Sequence, residues 1–274
     1  MPVARLSLRV AVILGLLTAP AGAETLRIAT EGAYPPWNAT EADGTLVGFE
    51  VELAGDLCRR MATECAITAQ DWDGLLPGLQ QGRYDAVMAG VSITEERRRA
   101  VDFSRAYAAD PAVFAVPAGS PLVTAFPAGG RVDLGVDGEL LRGTVAAIGA
   151  ALAGRTVAVQ TSTSHARMMQ ALFPDVAVRT YDKADHAALD LVAGRVDALL
   201  GARSAVAAIQ GGPTVVVGPG FSHGVLGQGV GVAVRKGDEL ANRFTTAIID
   251  AARDGTTAAL TRKWFGYDAS VPAP

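Results

Sequence analysis

The sequence predicts an α/β fold in two lobes, each a mostly parallel sheet flanked by helices, with two crossings between them. Three observations carry this. Strand and helix signals alternate in two separate sets, a Pro/Gly-rich stretch divides the sets, and the tail adds one strand and two helices. Alternation of this kind gives parallel sheets covered by helices. In the first set, residues 25–30 read as a strand, 50–61 as an amphipathic helix and 65–69 as a strand. A short helix at 74–81 ends at Gly82, and 86–89 is a buried strand. In the second set, strands are expected at 156–160, 176–181 and 198–201. Helices are expected at 164–172, 184–193 and 203–210. Between the sets lie an apolar crossing strand, 112–116, and the Pro/Gly-rich segment 117–138. The tail carries a strand at 229–234 and helices at 239–254 and 257–265. This assigns 24–110 and 218–274 to the first lobe and 111–217 to the second. The crossings fall near 111–116 and 214–218. Ligands of open α/β sheets bind at the carboxyl ends of strands.

The first 23 residues read as an export leader. Arg5 and Arg9 supply the positive start, 10–17 the apolar stretch and Ala21-Gly22-Ala23 a small-x-small cleavage site, so the mature chain begins at Glu24. A retained membrane anchor is the alternative, but the apolar stretch is short for a span. Export permits a disulfide. Cys58 and Cys65 are the two cysteines; a local bridge pinning helix to strand is the first reading, and a pair of small buried thiols the other. His165, His186 and His223 are scattered without ligand spacing, so no metal is expected. The net charge of −4 falls to about −6 without Arg5 and Arg9. No basic stripe is visible, which argues against nucleic acid as a partner.

The run 84–98 is the most informative stretch. A short buried strand leads into Ser92, and Thr94 reads as a helix N-cap with Glu95 and Glu96 in the first turn. Arg97 follows three residues past the cap. Free backbone N–H groups near a strand-to-helix turn, plus one fixed guanidinium, make a carboxylate receptor. The plainer alternative is a surface arginine on an ordinary helix start.

This run resembles the signature of the polar amino-acid-binding proteins, the extracytoplasmic receptors of ABC importers. The resemblance extends through Ala29-Thr-Glu-Gly and Tyr34-Pro-Pro-Trp37, Val47-Gly-Phe-Glu50, the Cys58 to Cys65 segment and Asp71-Trp72-Asp-Gly. It continues at Gly154-Arg-Thr-Val, Gly194-Arg-Val-Asp197-Ala and Lys263-Trp-Phe265. It covers essentially the whole mature chain, closest in pattern to the lysine/arginine/ornithine- and opine-binding branch. It implies a periplasmic-binding-protein (Venus flytrap) fold that closes by hinge motion. The implied function is a monomeric periplasmic receptor that binds a guanidinium-bearing amino acid or opine and serves the membrane permease of an ABC importer, without cofactor or catalytic residue.

By position, the resemblance gives Arg97 the ligand α-carboxylate, helped by Ser92 and by Thr163 and Ser164 from the second lobe. Tyr34 and Trp72 sandwich the ligand side chain, and Glu31 takes its distal cation. A planar guanidinium between aromatic faces and a carboxylate is physically sound. The plainer readings are core filling for Trp72 and a local loop contact for Glu31. One departure matters. Simple amino-acid binders carry an acid for the ligand α-ammonium where this chain has Ala202, followed by Arg203. Ala89 and Gly90 stand where basic-residue binders carry two serines. The opine-binding branch shares the small residues and the extra helical sequence, here 138–154. Opines carry a second carboxyalkyl group on the α-nitrogen, which needs room rather than an acid. Arg203 or His165 is available to assist that carboxylate; a solvated helix start is the equal alternative for Arg203. A same-fold periplasmic enzyme, such as a cyclohexadienyl dehydratase, is the second reading, with Glu31 as its general acid. A sensor input is the third, and it would need an anchor and a signalling domain.

Overall fold

The computed structural model describes residues 25–209 and 211–274. The expected leader, 1–23, lies outside the described residues. The chain starts with β1 (Leu26–Thr30), β2 (Ala33–Tyr34), β3 (Asn38–Thr40), β4 (Leu46–Val47), α1 (Phe49–Arg60), β5 (Cys65–Ala69) and α2 (Trp72–Gln80). It continues through β6 (Ala86–Val87), α3 (Glu95–Ala100) and β7 (Asp102–Ala108). It crosses into β8 (Ala112–Pro117), α4 (Leu122–Ala125), β9 (Arg131–Asp133), α5 (Glu139–Ala151), β10 (Thr156–Gln160), α6 (Ser164–Leu172), β11 (Ala177–Tyr181) and α7 (Ala184–Val192). Next come β12 (Ala198–Ala202), α8 (Arg203–Ala207) and β13 (Thr214–Ser222). The return is β14 (Val230–Val234), α9 (Leu240–Arg253) and α10 (Thr256–Phe265).

Two main sheets result, in the orders β5-β1-β6-β14-β7 and β11-β10-β12-β8-β13-β9. Each contains one strand running against the others, β14 in the first and β8 in the second. Both follow a crossing between lobes, without the helical connection that parallel strands need. The third sheet, β2-β3-β4, is a small antiparallel flap that carries Tyr34.

Sequence pattern explains the helices. In α1, Phe49, Leu53 and Leu57 recur every four residues and are fully buried. Glu50 and Glu52 sit in its first turn, Arg59 and Arg60 in its last, matching the helix dipole. Phe49 packs with Trp37 and Phe265 at ring separations of 5.6 and 4.9 Å, joining α1 and α10 over the first sheet. A disulfide joins Cys58 on α1 to Cys65 at the start of β5, as the bridge reading expects.

Three features depart from expectation. The Pro/Gly-rich segment 117–138 contains α4 and β9, which pack onto the second sheet. Strand β7 was not expected: its polar Asp102, Ser104 and Arg105 mask an edge strand that pairs with β14. The return crossing lies later than 214–218. At Gly218 the backbone turns left-handed (φ 70°), the β8 register shifts between Val217 and Phe221, and Gly220–Ser222 pairs with β9. The chain therefore stays in the second sheet to Ser222 and regains the first at Val230.

Candidate functional site

Strand ends and helix starts from both lobes converge on one small cavity of about 30 Å³. Nine of the ten residues expected at the site line it: Glu31, Tyr34, Trp72, Ala89, Gly90 and Ser92, with Arg97, Thr163 and Ser164. Ala202 does not. It is buried at the end of β12, beside the Tyr34 hydroxyl. Two further residues line it: His165, which the sequence offered only as an assistant to a second ligand carboxylate, and Gln160, which was not assigned to the site by sequence. Gln160 ends β10, so the strand-end rule is the signal that could have found it.

The Arg97 end is built from local caps. Thr94 Oγ1 accepts from the Arg97 backbone N–H at 3.3 Å, which starts α3 as the N-cap reading requires. The Arg97 guanidinium donates to the carbonyl oxygens of Ser92 (3.1 Å) and, across the cleft, Ser162 (3.3 Å). It also lies 5.2 Å from the centre of the Trp72 ring. Two carbonyls use only part of its five-donor fork, leaving donors for an anion. Burial pulls its pKa down to about 10, so it stays charged at neutral pH. Opposite, Thr163 caps α6 by accepting from Ala166 N–H at 3.1 Å, which directs the start of that helix toward the cleft. Ser92 Oγ and Ser164 Oγ meet at 3.3 Å.

The Glu31 end differs. Glu31 is 5% exposed, and Gln160 Nε2 donates to its Oε1 at 2.7 Å from the other lobe. Burial raises its carboxyl to about 7, with the Gln160 amide opposing the rise. His165 is pulled down to about 4 by burial and by the Arg97 charge, and is neutral at pH 7. Burial pushes the Tyr34 hydroxyl well above its ordinary range.

Gly90 fits only as glycine. Its φ is 63°, and a Cβ there would stand 3.1 Å from the Tyr34 ring. Its N–H donates to Glu50 Oε1 at 2.7 Å. Glu50 is fully buried, and also accepts from Asn38 Nδ2 (2.7 Å) and the Tyr107 hydroxyl. One buried carboxylate thus fixes the loop that floors the cavity, a role not read from sequence.

Further contacts join the lobes. Trp72 Nε1 donates to the Thr161 carbonyl at 3.0 Å, and Arg167 pairs with Glu96. Trp37 Nε1 donates to Ser204 Oγ at 2.7 Å. Ser204 in turn donates to Asp110 through its hydroxyl (2.5 Å) and backbone N–H (3.0 Å), and Tyr267 donates to the same carboxylate at 2.6 Å. Arg203 lies over the Tyr267 ring at 5.2 Å, outside the small cavity.

Comparison with known proteins agrees with this architecture. Residues 26–267 match the family model for bacterial extracellular solute-binding proteins, family 3. The octopine-binding periplasmic protein of Rhizobium meliloti is 35% identical over 275 residues, covering 91% of this chain and 93% of that one. The L-arginine-binding protein of Pseudomonas aeruginosa is 34% identical over 274 residues, covering 96% and 97%. Among solved structures, a His/Glu/Gln/Arg/opine family-binding protein from Silicibacter pomeroyi, in complex with lysine, is similar with a TM-score of 0.70. It is 30% identical, over 90% of this chain and all (100%) of that chain.

Proposed function

This chain belongs to family 3 of the bacterial extracellular solute-binding proteins, and from that premise we propose that it captures a guanidinium-bearing amino acid or opine for an ABC importer. The observation that carries the reading is one cavity with a guanidinium at one end, a buried carboxyl at the other and two aromatic side chains in its walls. Arg97 takes the ligand carboxylate, with the Ser92, Thr163 and Ser164 region beside it. Glu31 takes the distal cation, and Tyr34 and Trp72 flank the chain between them. Ala89 and Gly90 put no polar side chain beside the ligand. Ala202 supplies no acid for an α-ammonium, which suits a substituted α-nitrogen.

Both lobes contribute to the cavity, so a ligand stabilises the form in which they meet. Binding then shifts the population toward the closed form that the permease recognises. The mature protein acts as a monomer in the periplasm, after cleavage behind Ala23, and has no nucleic-acid partner. It is a receptor and not an enzyme. A carboxyl near 7 also suits a general acid, but the Glu31 carboxyl faces an amide, and the neighbouring His165 stays neutral.

A melting-temperature panel of basic amino acids and opines tests the proposal, since saturation at about 100 Kd adds about 2.7 kcal/mol of stability. Arginine or an arginine-derived opine is expected to give the largest shift. Ala202→Asp is expected to strengthen arginine and weaken the opine, because the new acid attracts a free ammonium and repels a second carboxylate. A flat panel, or turnover of a cyclohexadienyl amino acid, defeats the receptor reading.

A further inference from the structure

A second, larger pocket of about 260 Å³, a chamber partly open to solvent, adjoins the site. Tyr34, Gln160 and His165 line both cavities, so these three side chains stand between them as a shared boundary, the neck. Beyond the neck the walls are hollowed by small residues: Ala184, Ala187 and Ala188 from α7, Gly201 from β12, and Ala205 and Ala208 around α8. Leucine, isoleucine and valine side chains complete them. Among the described residues no lysine or arginine lines the chamber, and the one acid is Asp185. An apolar cavity of about 150 Å³ is enough to hold benzene. This one therefore has room for a ring or a short alkyl chain.

The neck and the chamber differ in chemistry. Tyr34, Gln160 and a neutral His165 offer hydrogen bonds at the neck. The walls beyond offer only apolar contact to most of an entering group, and an anion would find Asp185 and no cation. The end of β12 at Ala202 carries no carboxylate. The nearby Asp110 is already bound by Ser204 and Tyr267. A charged ammonium at the end of β12 would therefore find no free acid at Ala202 or Asp110, whereas an amide nitrogen needs none.

We infer that the chamber is a subsite for an apolar acyl group on the α-nitrogen of the ligand, making an N-acylated guanidino amino acid a ligand class of this protein. The acyl carbonyl meets the polar neck, and its hydrocarbon fills the alanine-walled space. This rests on the guanidinium reading above for the placement of the other end.

The probe is Nα-benzoyl-arginine, titrated by calorimetry beside arginine and octopine. Ala205→Leu and Ala188→Leu fill the chamber from two different helices, and the melting temperature of each reports its folding. Wild type is expected to bind the benzoyl compound at least as tightly as arginine. Each leucine variant should weaken the benzoyl compound about tenfold, the scale of inserting methylenes into a filled space, and change arginine by less than about threefold. If one variant fails to fold, the other gives the answer. Wild type binding arginine or octopine while the benzoyl compound binds more than about tenfold weaker overturns the subsite but leaves the guanidinium reading intact. Equal losses for arginine and the benzoyl compound also overturn it. Failure of all three ligands to bind wild type overturns both.

Discussion

Glu31→Gln is expected to stabilise the ligand-free protein, and to do so more strongly as the pH rises. Glu31 is 5% exposed, and burial raises its carboxyl from the ordinary 4.5 to about 7. In the unfolded chain the group ionises first, near 4.5. Rising pH therefore favours the unfolded state until the folded group also ionises near 7, and the loss is complete above that. At about 1.4 kcal/mol per unit, the whole difference is roughly 3 kcal/mol at pH 8 and about 1 kcal/mol at pH 5. Glutamine carries no charge and escapes this penalty. Urea unfolding of both proteins at the two pH values measures it: the advantage of the variant should grow by about 2 kcal/mol between pH 5 and 8. Any change in the Gln160 hydrogen bond that is the same at both pH values cancels in this comparison. An advantage that does not change with pH refutes the argument that Glu31 is held protonated by burial.

Arg97→Ala should fold normally and lose ligand affinity by about 3 kcal/mol or more, because it removes a charged donor set from a desolvated cleft; calorimetry on the folded variant decides this. Glu50→Ala should lower stability by about 3 kcal/mol or more, since the buried donors of Asn38 and Tyr107 and the half-buried Gly90 N–H lose their shared acceptor. Urea unfolding measures that loss, and a near-normal midpoint would remove Glu50 as the support of the Gly90 loop. Breaking the Cys58–Cys65 bridge by a double serine substitution should cost only about 2 kcal/mol, because the loop it closes is short. Unchanged stability in that variant, or two free thiols in the exported protein, contradicts a structural role.

Much of this molecule is legible in local sequence because local physics builds much of it. Helix α6 spans the residues its pattern predicts, and Thr94 caps α3 where a threonine before two acids should. The period of the buried leucines places α1. Two cysteines in an exported chain read as a bridge before any coordinates. Nine of the ten expected site residues share one cavity because each sits at a strand end or helix start, where an open α/β sheet exposes side chains to a cleft.

Other features depend on residues far apart in the chain. Edge strand β7 carries too many polar residues to declare itself, and only its pairing with β14, over a hundred residues later, makes it a strand. The return crossing moves to Ser222 because β9 offers Gly220–Ser222 a partner. Glu50 reads as an ordinary first-turn acid, until the fold brings the Gly90 N–H and the Tyr107 hydroxyl to it. Gln160 reads as the end of a strand, until the fold sets it 2.7 Å from Glu31. The carboxyl of Glu31 is raised to about 7 for the same reason: the residue type fixes its ordinary value, and burial in the folded chain fixes the shift. Sequence determined the periodic elements, their caps and the residue types at the site. Tertiary structure alone decided burial and long-range pairing, because desolvation and hydrogen-bond geometry depend on how the whole chain packs.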